Sequence, residues 1–131
     1  MNTKNNQRFR LTKRLFHESL IRLLQKKPLY EITVSQLCSD SELNRSTFYK
    51  YYENVRNVHE ELEQEAVSQS EACIQGVKTI DEESVILQLE KLLSYIREHA
   101  ELYLLLLENS ADDDFPYKLI HSAMEFVMHM P

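Results

Sequence analysis

The stretch EITVSQLCSDSELNRSTFYKYY, Glu31 to Tyr52, decides how the rest of the chain is read. Thr33 stands three residues before Gln36, the spacing of a capping box, and Ile32 and Leu37 take the flanking staple positions, so a helix starts at Val34. Its inward residues are Val34, Leu37 and Cys38. After a short turn around Glu42, Leu43 points inward and Asn44 is a candidate cap for a further helix from Arg45 to about Tyr52. On that helix Phe48 and Tyr52 are four residues apart and share the inner face, leaving Arg45, Ser46, Thr47, Tyr49 and Lys50 on the rest. The outer face is therefore basic, hydroxylated and aromatic. Two short helices joined this tightly form a helix-turn-helix.

Working outward, Phe16, Leu20, Leu23 and Leu24 make an apolar stripe on a first helix from Leu11 to about Lys27, which Pro28 ends. Asn54 caps a long fourth helix carrying Val58, Leu62, Ala66, Cys73 and Ile74 and stopping near Gly76, the single glycine. After a loop from Val77 to Ile80, Asp81 caps a fifth helix that reaches about Glu98, with Glu82 and Glu83 in its first turn and Ile80 and Val85 at staple positions. The run Leu102 to Leu107 is apolar around its circumference, which predicts a sixth helix buried on most sides. Asp112 to Asp114 and Pro116 open a last helix, Tyr117 to Met130. The expected fold is all-α, with a helix-turn-helix head over 1–54 joined by the long fourth helix to a second helical domain over 55–131. No Gly/Ser linker separates them, so the fourth helix is expected to join them rigidly.

The charge is divided in the same way. The net charge is −6, yet Met1 to Arg56 holds 11 Lys or Arg against 5 Asp or Glu, a net of +6, and the remainder is −12. A basic head attracts the phosphate backbone and an acidic body discourages wrapping, so the charge favours one docking orientation. Lys4, Arg8, Arg10 and Lys13 are expected to form a basic arm along a groove. Cys38 and Cys73 are far apart and flank no metal-ligating pattern, which fits a reducing cytoplasm. The histidines never pair at metal-ligand spacing, no apolar run approaches a membrane span, and no nucleophile triad or phosphate loop appears. Neither a metal, a cofactor, a membrane role nor an enzyme activity is expected.

LNRSTFYKYY, Leu43 to Tyr52, preceded by EITVSQLCSDSE, resembles the DNA-binding head of the tetracycline-repressor (TetR) family of helix-turn-helix regulators, over roughly Leu15 to Leu62. The resemblance implies that Leu43 and Phe48 are core, and that Arg45, Ser46, Thr47, Tyr49 and Lys50, with Asn44 at the helix start, lie toward DNA. It further implies that Thr33 and Ser35 touch the backbone. Two positions depart from the family pattern. Glu42 stands where the turn usually has Gly, at a cost of about 1 kcal/mol if φ is positive. Val55 stands where many members place a phosphate-binding Lys, which leaves Arg56 as the substitute clamp.

SYIREHAELYLLLLENSADDDFPYKLI resembles, more loosely, one version of that family's body. On that likeness Tyr95, Tyr103, Phe115, Met124 and Phe126, with Met128, are candidates for a small-molecule effector pocket, although such stripes are more often ordinary core. Family members carry further helices that pair across a two-fold axis. The body is therefore expected to be incomplete, to dimerise through its sixth and last helices, or to be monomeric. The expected function is a cytoplasmic, ligand-responsive repressor bound as a homodimer to a double-stranded DNA operator. The alternative is a TetR-like protein-interaction module or coactivator without DNA affinity, suggested by Glu42 and Val55.

Overall fold

The computed structural model describes residues 3–74, 82–109 and 115–121. Among these residues every regular element is helical: α1 (Thr3–Leu24), a 3-10 turn (Leu29–Glu31), α2 (Val34–Ser41), α3 (Arg45–Tyr51), α4 (Val55–Ile74) and α5 (Glu82–Glu108), then a helical segment over 115–121. The all-α reading holds. The chain divides into two compact units, Met1–Leu62 and Glu63–Pro131.

Local chemistry sets the starts of the short helices. Thr33 Oγ1 accepts from the Gln36 N–H at 3.1 Å while Gln36 Oε1 accepts from the Thr33 N–H at 3.0 Å, so the capping box is closed in both directions. Asn44 Oδ1 accepts from the Thr47 N–H at 2.8 Å and starts α3. Asn54 and Asn57 repeat the reciprocal pattern at α4, with N–H to Oδ1 distances of 3.0 and 3.3 Å. At the end of α1 the Lys26 and Lys27 N–H groups close on the Leu23 carbonyl just before Pro28.

The first unit is organised around aromatic rings. Phe16, Phe48 and Tyr52 meet pairwise with centroids 5.4 to 6.0 Å apart, and Leu20, Leu24, Ile32, Leu37 and Cys38 are buried with them. Val55, Val58, His59 and Leu62 are buried as well. The first two turns of α4 thus complete the core of this unit, which ends at Leu62 rather than at residue 54. Beneath α2, the buried Ser19 Oγ lies 2.6 Å from Asp40 Oδ1, an oxygen that also accepts from Arg22 at 2.6 Å. These contacts fasten the C-terminal end of α2 to α1, and they hold the Asp40 carboxyl below its ordinary range, the Arg22 hydrogen bond first and the Ser19 hydrogen bond second.

Several expectations are corrected. The first helix begins at Thr3 rather than at Leu11, so the basic N-terminal stretch is helical. No Pro or Gly interrupts it, and Phe9 anchors it by an edge contact to Tyr51 at 5.1 Å. The fifth and sixth helices are one, since nothing between Glu98 and Leu102 breaks a helix. Of the run Leu102 to Leu107 only Leu106 is buried, whereas Leu104 and Leu107 are exposed. The last helical segment starts at Phe115, and Pro116 sits in its first turn. Gly76, the loop Val77 to Ile80, Asp81, Asp112 to Asp114, Met124, Phe126 and Met128 lie outside the described residues, as do the side chains of Cys73 and Ile74.

In the second unit, α5 joins the 63–74 part of α4 through tyrosine. The Tyr103 hydroxyl donates to the Ala66 carbonyl at 3.1 Å, and the hydroxyls of Tyr103 and Tyr95 are 3.1 Å apart. Tyr95 also stacks on His99 at 4.2 Å. Both tyrosines thus serve as packing residues that satisfy their own polar ends, and Phe115 is buried. Among the described residues no helix is long and apolar enough to cross a membrane.

Candidate nucleic-acid interface

The turn between α2 and α3 is built on one unusual backbone angle. Glu42 has φ 62° and ψ 28°, the only positive φ among the described non-glycine residues. Its own N–H and that of Leu43 both donate to the Cys38 carbonyl, the latter at 3.2 Å, which caps α2 and reverses the chain within three residues. The conformation costs a non-glycine residue roughly 1–2 kcal/mol. Glycine would be the unstrained choice.

That turn delivers α3 with Phe48 fully buried and its opposite side to solvent. Arg45, Ser46, Tyr49 and Lys50 are exposed, Tyr49 at 54%, and Thr47 is half-buried. The Tyr49 ring rests edge-on against Phe48 at 5.3 Å, so its base is held by the core while its hydroxyl end is free to reach outward. Arg45 lies near enough to the buried Cys38 to oppose, in part, the upward push of burial on that thiol. Arg56 is exposed in the first turn of α4, and Val55, beside it, is buried.

Four of the expected contact residues have internal duties. Asn44 gives Oδ1 to the Thr47 N–H and to the Ser46 hydroxyl, which donates at 2.9 Å. The Thr47 amide and the Ser46 proton are thereby engaged within the helix start. Thr33 is exposed but spends its oxygen on the capping box, whereas Ser35, one residue into α2, is exposed. Outward chemistry is therefore concentrated on Arg45, Tyr49, Lys50, Ser35 and Arg56.

No family model, curated protein or solved structure matches the chain.

Two groups of residues extend the site beyond what local pattern identifies. The first is a shallow hollow of about 380 Å³ beside the C-terminal end of α3, lined by Asn6, Arg8 and Phe9 of α1 with Lys50 and Tyr51. Its lining includes the Phe9–Tyr51 ring pair and two cations, Arg8 and Lys50. The helical spacing of Phe9 and Lys13 was the available sequence signal, since the Lys13 ammonium lies 4.7 Å from the Phe9 ring.

The second group holds α3 from below. Glu61 of α4 accepts from Lys13 at 2.7 Å and lies 3.4 Å from His17 Nε2, both residues of α1. The Tyr52 hydroxyl, at the end of α3, is 3.4 Å from the same His17 nitrogen and hydrogen-bonds Glu61. Burial by itself would raise the Glu61 carboxyl, but hydrogen bonds from Lys13 and Tyr52, helped by His17, outweigh it and hold the group below its ordinary value. Lys13 is thus turned toward α4 rather than extended along a groove. No short sequence spacing links residues 48 positions apart, so this cluster is visible only in the fold. Among the described residues no three His, Cys, Asp or Glu side chains gather as a metal cage.

Proposed function

We propose that the first unit is the helix-turn-helix head of a sequence-specific DNA-binding transcriptional regulator, with α3 as the helix that enters the major groove. The observation that carries the reading is the asymmetry of α3: Phe48 is fully buried while Arg45, Ser46, Tyr49 and Lys50 are exposed on a helix held by caps at both the turn and its own start. An α-helix about 10–12 Å across fits a major groove about 12 Å wide. Arg45 and Lys50 supply charge to phosphates or to the acceptor edge of guanine, and Tyr49 offers a phosphate hydrogen bond or contact with a thymine methyl. Arg56 on α4 is the adjoining backbone clamp. Ser35, at the start of α2, supports the same docking from the neighbouring helix.

The segregation of charge supports this reading, because the +6 of Met1 to Arg56 stands against −12 in the remainder. So does the TetR-like pattern of Leu43 to Tyr52, which extends the proposal to a regulatory second unit. Selection of bound duplexes from a random pool tests it. A recurring motif of several base pairs is expected to emerge from the whole chain. Retention of duplexes without any enriched motif would contradict specific reading.

A further inference from the structure

The hollow of about 380 Å³ beside the end of α3 combines two kinds of recognition that the packing of the head does not require. One is aromatic. The Phe9 and Tyr51 rings meet 5.1 Å apart at 78°, so they form a corner in which a planar group laid on one ring meets the other edge-on. The other is cationic. Arg8 and Lys50 line the same hollow, and the Lys50 ammonium is held 5.7 Å from the Tyr51 ring centroid. Neither Thr3 to His17 nor Arg45 to Tyr51, the stretches that supply the lining, contains an Asp or Glu. Elsewhere on α1, Lys13, Arg14 and Arg22 have carboxylates of this chain at 2.7, 3.9 and 2.6 Å, whereas among the described residues Arg8 and Lys50 are in no ion pair. The volume falls within the range of small-molecule sites, about 300–1,000 Å³.

We propose that this hollow binds a small planar aromatic anion of the aryl carboxylate class, with its ring in the Phe9–Tyr51 corner and its charge on Arg8 and Lys50. The lining selects the class. An inorganic anion would use the two cations and leave both rings against water, and a neutral aromatic would use the rings and leave the cations without an anion. A ligand that carries both features satisfies both, and Asn6 offers its amide N–H to a further carboxylate oxygen. A DNA duplex keeps its bases stacked and brings only phosphate to this place, so it engages the cations and not the corner. The site belongs to the first unit, apart from the effector pocket expected in the second. Lys50 also stands on the DNA-facing side of α3, so an occupied hollow competes with DNA for that cation; this consequence, unlike the binding, rests on the proposed function.

Titration of the whole chain with 2-naphthoate, followed by backbone amide chemical shifts, tests the proposal. Naphthalene-2-carboxamide and acetate serve as the neutral and the ringless counterparts. Shifts are expected to gather at residues 6–9 and 50–51, with 2-naphthoate binding about five-fold or more tightly than either counterpart. Arg8→Gln and Lys50→Gln, both exposed changes that leave the fold intact, are each expected to weaken 2-naphthoate roughly two- to five-fold and to leave the carboxamide unaffected. A carboxamide that binds as well as 2-naphthoate, shifts centred elsewhere in the chain, or variants that bind like the wild type would overturn the proposal. So would an Arg8→Gln chain that loses duplex affinity while 2-naphthoate shifts no residue of the hollow, since the hollow would then be a contact for DNA phosphate. Saturating 2-naphthoate is also expected to weaken binding of the selected duplex, and an unchanged duplex affinity would overturn the competition. A chain that binds no duplex at all would fail the proposed function, and the shift titration would still decide the site.

Discussion

At Glu42 the backbone adopts a left-handed conformation that a side chain makes costly, and the two bonds to the Cys38 carbonyl hold it there. Glu42→Gly is expected to stabilise the chain by about 0.5–1 kcal/mol, the relief of strain less the extra freedom glycine has when unfolded. Urea unfolding measures this directly, and an unchanged or lowered midpoint would show that the turn is not strained. His59 behaves differently. It is 1% exposed, and burial first, then the charge of Arg56, brings its pKa from 6.5 down to about 4. An unfolded chain therefore takes up this proton as the pH falls through 6.5, while the folded one resists until about 4. Stability is expected to be full above pH 6.5 and to decline between these values by at most about 3 kcal/mol. Glu61 and Asp40, whose pKa values are lowered, add a loss that sets in as the pH falls into the ordinary carboxylate range and grows below it. Denaturant midpoints at neutral pH and at pH near 5 check the sign; equal stability at both would mean that His59 is not held neutral.

The helices differ in how openly the sequence announces them. Thr33, Asn44 and Asn54 cap the helices they precede because a side-chain oxygen and an N–H three residues on are local partners, and local partners leave a readable spacing. Phe48 and Tyr52 are buried by the same logic of helical period. The start of α1 is not legible in the sequence, because Thr3 to Arg8 is polar and offers no apolar stripe. The edge contact of Phe9 with Tyr51 that anchors it joins residues remote in sequence. The Lys13–Glu61–His17–Tyr52 cluster has the same character, and so has the exposure of Leu104, which depends on where α5 packs rather than on its hydrophobicity. For α3 the two faces predict opposite responses. Phe48→Ala should cost about 3–5 kcal/mol and unfold the first unit. Arg45→Ala should change stability by less than about 0.5 kcal/mol and Tyr49→Ala, which gives up the edge contact with Phe48, by about 0.5–1.5 kcal/mol, while each weakens duplex binding by about 1–3 kcal/mol. Parallel melting curves and titrations separate these effects, and a large stability loss in Tyr49→Ala would return that residue to the core.

For the molecule as a whole, the division of charge matters more than its sum. Binding carried by the basic first 56 residues must release counterions from DNA, whatever the acidic remainder does to the net charge of −6. The measurement that tests the central claim most directly is the affinity of the whole chain for its selected duplex across a salt series, beside Arg45→Ala/Lys50→Ala. The account predicts that log K falls linearly with log salt at about −0.9 per phosphate neutralised, and that the double variant binds more weakly with a slope smaller in magnitude by as much as about 1.8. Binding that ignores salt, or a double variant indistinguishable from the wild type in both affinity and slope, would contradict the assignment of α3 as the DNA-reading helix.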